Sequence, residues 1–236
     1  MNLLAFDTST DILSLALATG GPAGAGADAR LQEHSGPGGA QASATLIPAL
    51  MDLLAGAGLR LDDLQAIVFG RGPGSFTGLR TACAVAQGLA FGSSVPVLPV
   101  ETLLAVAEEA RALHGATRVV ALLDARMDQV YAGAYVFDGA QWQRQGELGL
   151  LAPEAVEVPA GWVLAGNAFR AYGARLPAAP ERLEALPTAA ALLRLAPSLL
   201  AAGQAQPAAG ALPLYIRDKV AQTTAERAAL RAANPP

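Results

Sequence analysis

The chain has 236 residues, of which 53% are apolar, 5% aromatic and 15% charged, with a net charge of −4 and a pI near 5.2. Despite a mean hydropathy of +0.35, no run of about 18 uninterrupted apolar residues exists to span a bilayer, and Asp7 interrupts the first apolar run, which no basic stretch precedes. RNA binding by an isolated protein calls for a basic patch, and neither a Lys/Arg cluster nor interleaved aromatics is present; Lys219 is the sole lysine. A soluble, cytoplasmic protein of one large domain or two lobes is expected, meeting RNA, if at all, only indirectly.

Leu3 to Phe6 form a short apolar run ending at Asp7. After Thr8-Ser9-Thr10-Asp11, Leu13, Leu15 and Leu17 alternate with small residues at the period of a half-buried strand. Together they predict a hairpin with an acidic, hydroxyl-rich turn. The Gly/Pro/Ala-rich residues 20–39 read mostly as loop, with room for a weak edge strand. Leu46, Ala49, Leu50, Leu53, Leu54 and Ala57 recur at helical spacing, and Gly56 and Gly58 suit the helix end. A turn at Asp62 or Asp63 leads to a buried strand at residues 66–69. Then come Gly70-Arg71-Gly72-Pro73-Gly74-Ser75-Phe76-Thr77-Gly78-Leu79-Arg80 and a helix to about Phe91. Residues 95–100 predict a strand interrupted by prolines, and Glu101-Thr102 opens a helix to about His114.

The second half starts in the same way. Residues 119–123 form a strand ending at Asp124, followed by strands at 130–137 and 142–150; Ala125-Arg126-Met127-Asp128-Gln129 makes a second acidic hairpin. A strand at 162–165 meets Gly166-Asn167. A helix spans about 188–202, open to a break at Pro197, and residues 223–236 read as frayed or helical. The order predicts a mixed α/β fold with weak internal duplication, divided as a lobe at 1–99, a lobe at 100–215 and a tail at 216–236.

Three features could carry function. Glycines at 70, 72, 74 and 78 let the backbone approach a ligand and lead into a helix N-terminus that favours an anion. With Asp7, Thr8, Gly72, Gly74, Ser75 and Thr77 as its parts, this is either a phosphate loop or a tight structural turn; the spacing matches neither the P-loop nor the dinucleotide fingerprint. Asp7 and, in the second lobe, Asp124 with Arg126 sit at strand ends, where an acid either holds magnesium through water or caps its own turn. Gly78, Ala82, Ala86 and Ala90 make a small-residue stripe that suits helix–helix docking or packing on the chain's own sheet. Cys83 is alone, so no intrachain disulfide forms, and its apolar neighbours predict packing. His34 and His114 lie far apart, leaving no His/Cys ligand set for a metal, and no G-x-S-x-G elbow marks a serine nucleophile.

Several collinear pieces resemble the TsaB family, formerly YeaZ: Leu4-Ala5-Phe6-Asp7-Thr8-Ser9-Thr10, the whole 70–80 run, Ala86-Gln87-Gly88-Leu89-Ala90, Asp124-Ala125-Arg126 with Val130-Tyr131, and Pro213-Leu214-Tyr215-Ile216-Arg217. The resemblance implies an actin/Hsp70/sugar-kinase-like (ASKHA) fold of two lobes, each on a mixed sheet. It implies a non-catalytic scaffold in the complex that forms N6-threonylcarbamoyladenosine in tRNA next to the anticodon. Its partners would be the catalytic subunit TsaD, met through first-lobe helices around Leu46, Leu50, Leu53, Gly78, Ala82 and Ala86, and TsaE, with a homodimer when alone. No cofactor is firmly expected; weak ATP or ADP binding is the one candidate. Two positions depart from the family pattern: Ala42-Ser43 stands where a His-Ser/Thr pair is usual before Pro48, and Gln129 where a Glu is common. An ATP-dependent small-molecule kinase of the same fold is the alternative, and a peptidase is disfavoured by the missing nucleophile and ligands.

Overall fold

A computed structural model describes residues 1–20, 30–39 and 41–217. The tail expected at 223–236, Lys219 and part of the glycine-rich stretch lie outside the described residues.

Two five-stranded sheets repeat one plan. In the first, β1 (Leu3–Asp7), β2 (Ile12–Thr19) and β3 (Arg30–Pro37) form an antiparallel meander, and β4 (Ala66–Gly72) and β5 (Val97–Glu101) extend it in parallel, in the order β3-β2-β1-β4-β5. In the second, β6 (Arg118–Arg126), β7 (Gln129–Phe137) and β8 (Trp142–Leu151) form the meander, and β9 (Val163–Gly166) and β10 (Arg182–Glu184) the parallel extension, in the order β10-β9-β6-β7-β8. The duplication anticipated from the two acidic hairpins is thus a duplication of topology. This is the two-lobe ASKHA-like α/β fold.

β1 reads as a continuous apolar run because both of its faces are covered. Leu4 and Phe6 face a core shared with α1 (Ala42–Gly56) and α2 (Phe76–Ser93), whereas Leu3 and Ala5 face α5 (Ala189–Ala201). α3 (Thr102–His114) buries Leu103, Val106, Ala107 and Ala110 against the second sheet, whose other face packs on Tyr172 of α4 (Phe169–Tyr172). α3 and α5 also meet each other. Glu108 of α3, nearly inaccessible, accepts from Arg111 (2.9 and 2.8 Å), from Arg194 Nε of α5 (3.0 Å) and from Trp142 Nε1 of β8 (2.9 Å).

Several local expectations change. The glycine-rich stretch contains a full eight-residue edge strand, β3, and His34 lies on it, exposed. Prolines do not interrupt β5: Val97 turns its N–H and C=O outward to Gln206 (2.8 Å each), so Pro99, two residues on, lacks only an N–H that would also point away from β4. α5 continues through Pro197, with Ser198 Oγ donating to Leu195 O at 2.9 Å. The first sheet runs to Glu101, and α5 together with residues 206–211 returns to it, so divisions at 99 and 215 separate segments that pack as one. Among the described residues no helix is long and apolar enough to cross a membrane.

Candidate functional site

The two acidic hairpins face each other across a cleft of about 600 Å³ between the lobes. The first-lobe wall is the β1–β2 turn, Ser9-Thr10-Asp11, backed by Gly74 and Ser75; the second-lobe wall includes Asp124, Arg126, Asn167 and Arg170. Arg126 spans the gap, bonding Asp11 at 2.7 Å and Asp124 at 3.0 Å. The β6–β7 turn points it there by taking positive φ at Arg126, Met127 and Asp128. Asp124 is held by three neighbours: its carboxylate accepts from the Arg126 N–H (2.7 Å) and the Tyr172 hydroxyl (2.9 Å), and its own N–H donates to Asn167 Oδ1 (2.9 Å).

Residues 211–217 cross from one lobe to the other at this cleft. The Leu214 N–H donates to Arg71 O at 2.7 Å, the Tyr215 ring packs on Phe76 (centroids 5.3 Å apart), and Arg80 Nε donates to the Tyr215 hydroxyl at 3.1 Å. Arg217 then donates to Ala125 O at 2.9 Å, at the second hairpin.

The glycine run is fitted to protein. A Cβ at Gly70 would overlap the Asp7 carboxylate, one at Gly74 would come within 2.6 Å of Ser9 Cβ, and one at Gly78 would overlap the Thr8 carbonyl oxygen. The Ser75 N–H donates to Ser9 O at 2.7 Å, Thr8 Oγ1 donates to Gly78 O at 2.7 Å, and the Gly72 N–H donates to Thr102 Oγ1 at 3.0 Å. Ser75 caps α2 through its hydroxyl. These contacts favour the tight-turn reading of the loop.

Of the proposed anion residues, the cleft therefore gathers Gly74 and Ser75 with Asp124 and Arg126, and does not include Asp7, Thr8, Gly72 or Thr77. Asp7 is wholly buried. One carboxylate oxygen accepts from the Ser9 N–H (2.8 Å) and hydroxyl (2.6 Å), and the other has no partner among the described residues. Burial pushes its carboxyl up to about 6, against the pull of the Ser9 bonds. Residue patterns gave no sign of Arg170 at the cleft or of Tyr172 behind Asp124, because nothing local sets them apart from a surface charge or a core aromatic.

The docking residues read from helical spacing require a correction. Leu46, Leu50, Gly78, Ala82 and Ala86 are buried in the chain's own core and Leu53 packs against it; the small-residue stripe seats α2 on the first sheet. The outward faces of α1 and α2 carry Ile47 and Met51 (46% exposed each) and Phe91 (85%).

A family model described as "TsaD: tRNA N6-adenosine threonylcarbamoyltransferase" matches residues 32–163. The "tRNA threonylcarbamoyladenosine biosynthesis protein TsaB" of Escherichia coli K12 is 35% identical over 231 residues, covering 94% of this chain and 96% of the relative. The chain belongs to the TsaB (YeaZ) family. The protein of the same description from Haemophilus influenzae is 43% identical over 131 residues, 56% of this chain and 52% of that one. The solved structure "YeaZ from Pseudomonas aeruginosa" superposes with a TM-score of 0.82 at 42% identity, covering 91% of this chain and 99% of that one.

Proposed function

We propose that this chain serves N6-threonylcarbamoyladenosine formation in tRNA as a non-catalytic subunit, docking on TsaD through the outward faces of α1 and α2 and working alongside TsaE. The observation that carries the reading is the set of large apolar side chains, Ile47, Met51 and Phe91, that two adjacent helices turn to solvent. Surface of this kind on neighbouring helices suits a protein interface, which would bury roughly 1,600 Å² in total. The same faces would pair two copies when the chain is alone. The scaffold role is further supported by the cleft chemistry, since its two acids are engaged by Arg126. No group of three or more His, Cys, Asp or Glu side chains is placed to hold a metal among the described residues. Contact with tRNA would run through the partners, in keeping with the negative net charge.

Phe91→Asp and Met51→Asp are expected to abolish co-purification with TsaD while leaving the melting temperature within a few degrees of the parent. Undiminished pairing in both variants would sink the docking face. Reconstituted tRNA modification should fall to background when the chain is omitted.

A kinase of the same fold is the second reading, favoured by one feature: Arg170 lines the cleft with no ion pair or hydrogen bond among the described residues, leaving a cation available for a phosphate. Calorimetry with ATP and magnesium decides. Tight binding with turnover would favour the kinase; weak or absent binding favours the scaffold.

A further inference from the structure

We propose that the chain binds a small organic oxyanion in a second cavity, with the Arg71 guanidinium as its anchor. This cavity, of about 320 Å³, shares no lining residue with the inter-lobe cleft and opens between β5 of the first sheet and β8 of the second. Its volume suits a metabolite-sized ligand. The polar walls are Arg71, Glu101, Tyr135, Arg144, Gln204 and Gln206.

The one acid of this set is already engaged. One Glu101 oxygen accepts from the Tyr135 hydroxyl and the other from Arg144 Nη1 at 2.8 Å. Arg71 is in a different situation. Its side chain makes no hydrogen bond or ion pair among the described residues, and its Nε is shielded from solvent without an acceptor. A guanidinium cannot shed its charge at physiological pH, so the part of Arg71 that lines the cavity stays available to an anion. The neighbouring Cys83 supplies no counter-charge, because burial pushes its thiol up to about 11. Arg144 is paired with Glu101 and, at 3.8 Å, with Glu147, so Arg71 is the lining cation that has no counter-charge among the described residues. The side-chain amides of Gln204 and Gln206 are likewise without side-chain hydrogen bonds among the described residues, and each can donate to the same anion. Leu104 and Leu199 offer apolar wall for the body of the ligand. A carboxylate or a phosphate head would complete the guanidinium fork.

Nitrogen NMR on the full chain tests this, following Arg71 Nε and the Gln206 side-chain amide during separate titrations with inorganic phosphate and with acetate. Saturable shifts at both groups are expected, and the probe that saturates first identifies the head group. Arg71→Gln should weaken the midpoint read at Gln206 by at least about tenfold, whereas Arg170→Gln, in the other cavity, should leave it unchanged. Non-saturating shifts with both probes overturn the site, as does an unchanged midpoint in Arg71→Gln or a lost one in Arg170→Gln. If Arg71→Gln does not fold, the Arg71 signal in the parent protein still decides.

Discussion

Gly78 and Gly88 lie on the same helix and have opposite reasons to be glycine. At Gly78 an added methyl meets the Thr8 carbonyl oxygen, a backbone atom of the buried β1–β2 turn, whereas at Gly88 nothing lies within 4 Å. Gly78→Ala should therefore lower the unfolding free energy by roughly 2–4 kcal/mol in urea titration. Gly88→Ala should raise it by about 0.5–1 kcal/mol, because alanine loses less backbone entropy on folding. Equal effects would refute the close approach between loop and hairpin. Asp7 makes a second residue-scale prediction. Its folded pKa of about 6 lies above the ordinary 3.8, so the native state holds the extra proton between those values. The stabilisation is complete below about 3.8 and is lost as pH rises through 6. In Asp7→Asn that slope should vanish from a stability–pH profile, while the bond from the Ser9 N–H is retained.

Among the elements, α3 is the joint. It lies between the sheets, and Glu108 ties it to α5 through the Arg194 guanidinium and to β8 through the Trp142 indole, with Arg111 of its own helix bracing the carboxylate. Burial raises the Glu108 carboxyl, and its hydrogen bonds to Arg111 and Trp142, with the nearby guanidinium charges, outweigh that and hold it below the usual range. It therefore stabilises the fold above the ordinary glutamate pKa and ceases to do so as pH falls through its folded value. Glu108→Ala strands Arg111 and Trp142 without their acceptor, leaves Arg194 with Glu109 alone, and should cost about 3–5 kcal/mol, read from the denaturant midpoint. α1 and α2 illustrate how an element's two faces separate. Helical spacing marks their apolar positions but does not say which of them the sheet covers. Ala82 and Ala86 turned out to be covered, so Ala82→Arg should unfold the protein rather than block a partner.

For the whole molecule, the lobes are held by the α3–α5 layer and not by the ion pair across the cleft. Asp11 and Arg126 meet at 2.7 Å, but their side chains are 82% and 69% exposed, so solvent screens the pair. Asp11→Ala should change global stability by less than about 0.5 kcal/mol; a larger loss would mean that the cleft contact, and not the central helices, fixes the lobes.

Most of the strand and helix order, both acidic hairpins and the two-lobe plan were determined by the sequence itself, because alternation, helical period and turn chemistry are local and were met twice in the same order; the short β10 and α4 carry too few residues to show a period and were not anticipated. Family membership was legible for the same reason, carried by the unbroken 70–80 run. Tertiary structure alone decided what the glycines of that run approach, that Asp7 is buried while Asp11 reaches the cleft, which side of α1 and α2 faces water, and that Arg71 has no acceptor among the described residues. Each of these depends on which distant segment lies against a residue, and spacing along a chain does not encode that when several burial partners would satisfy the same pattern.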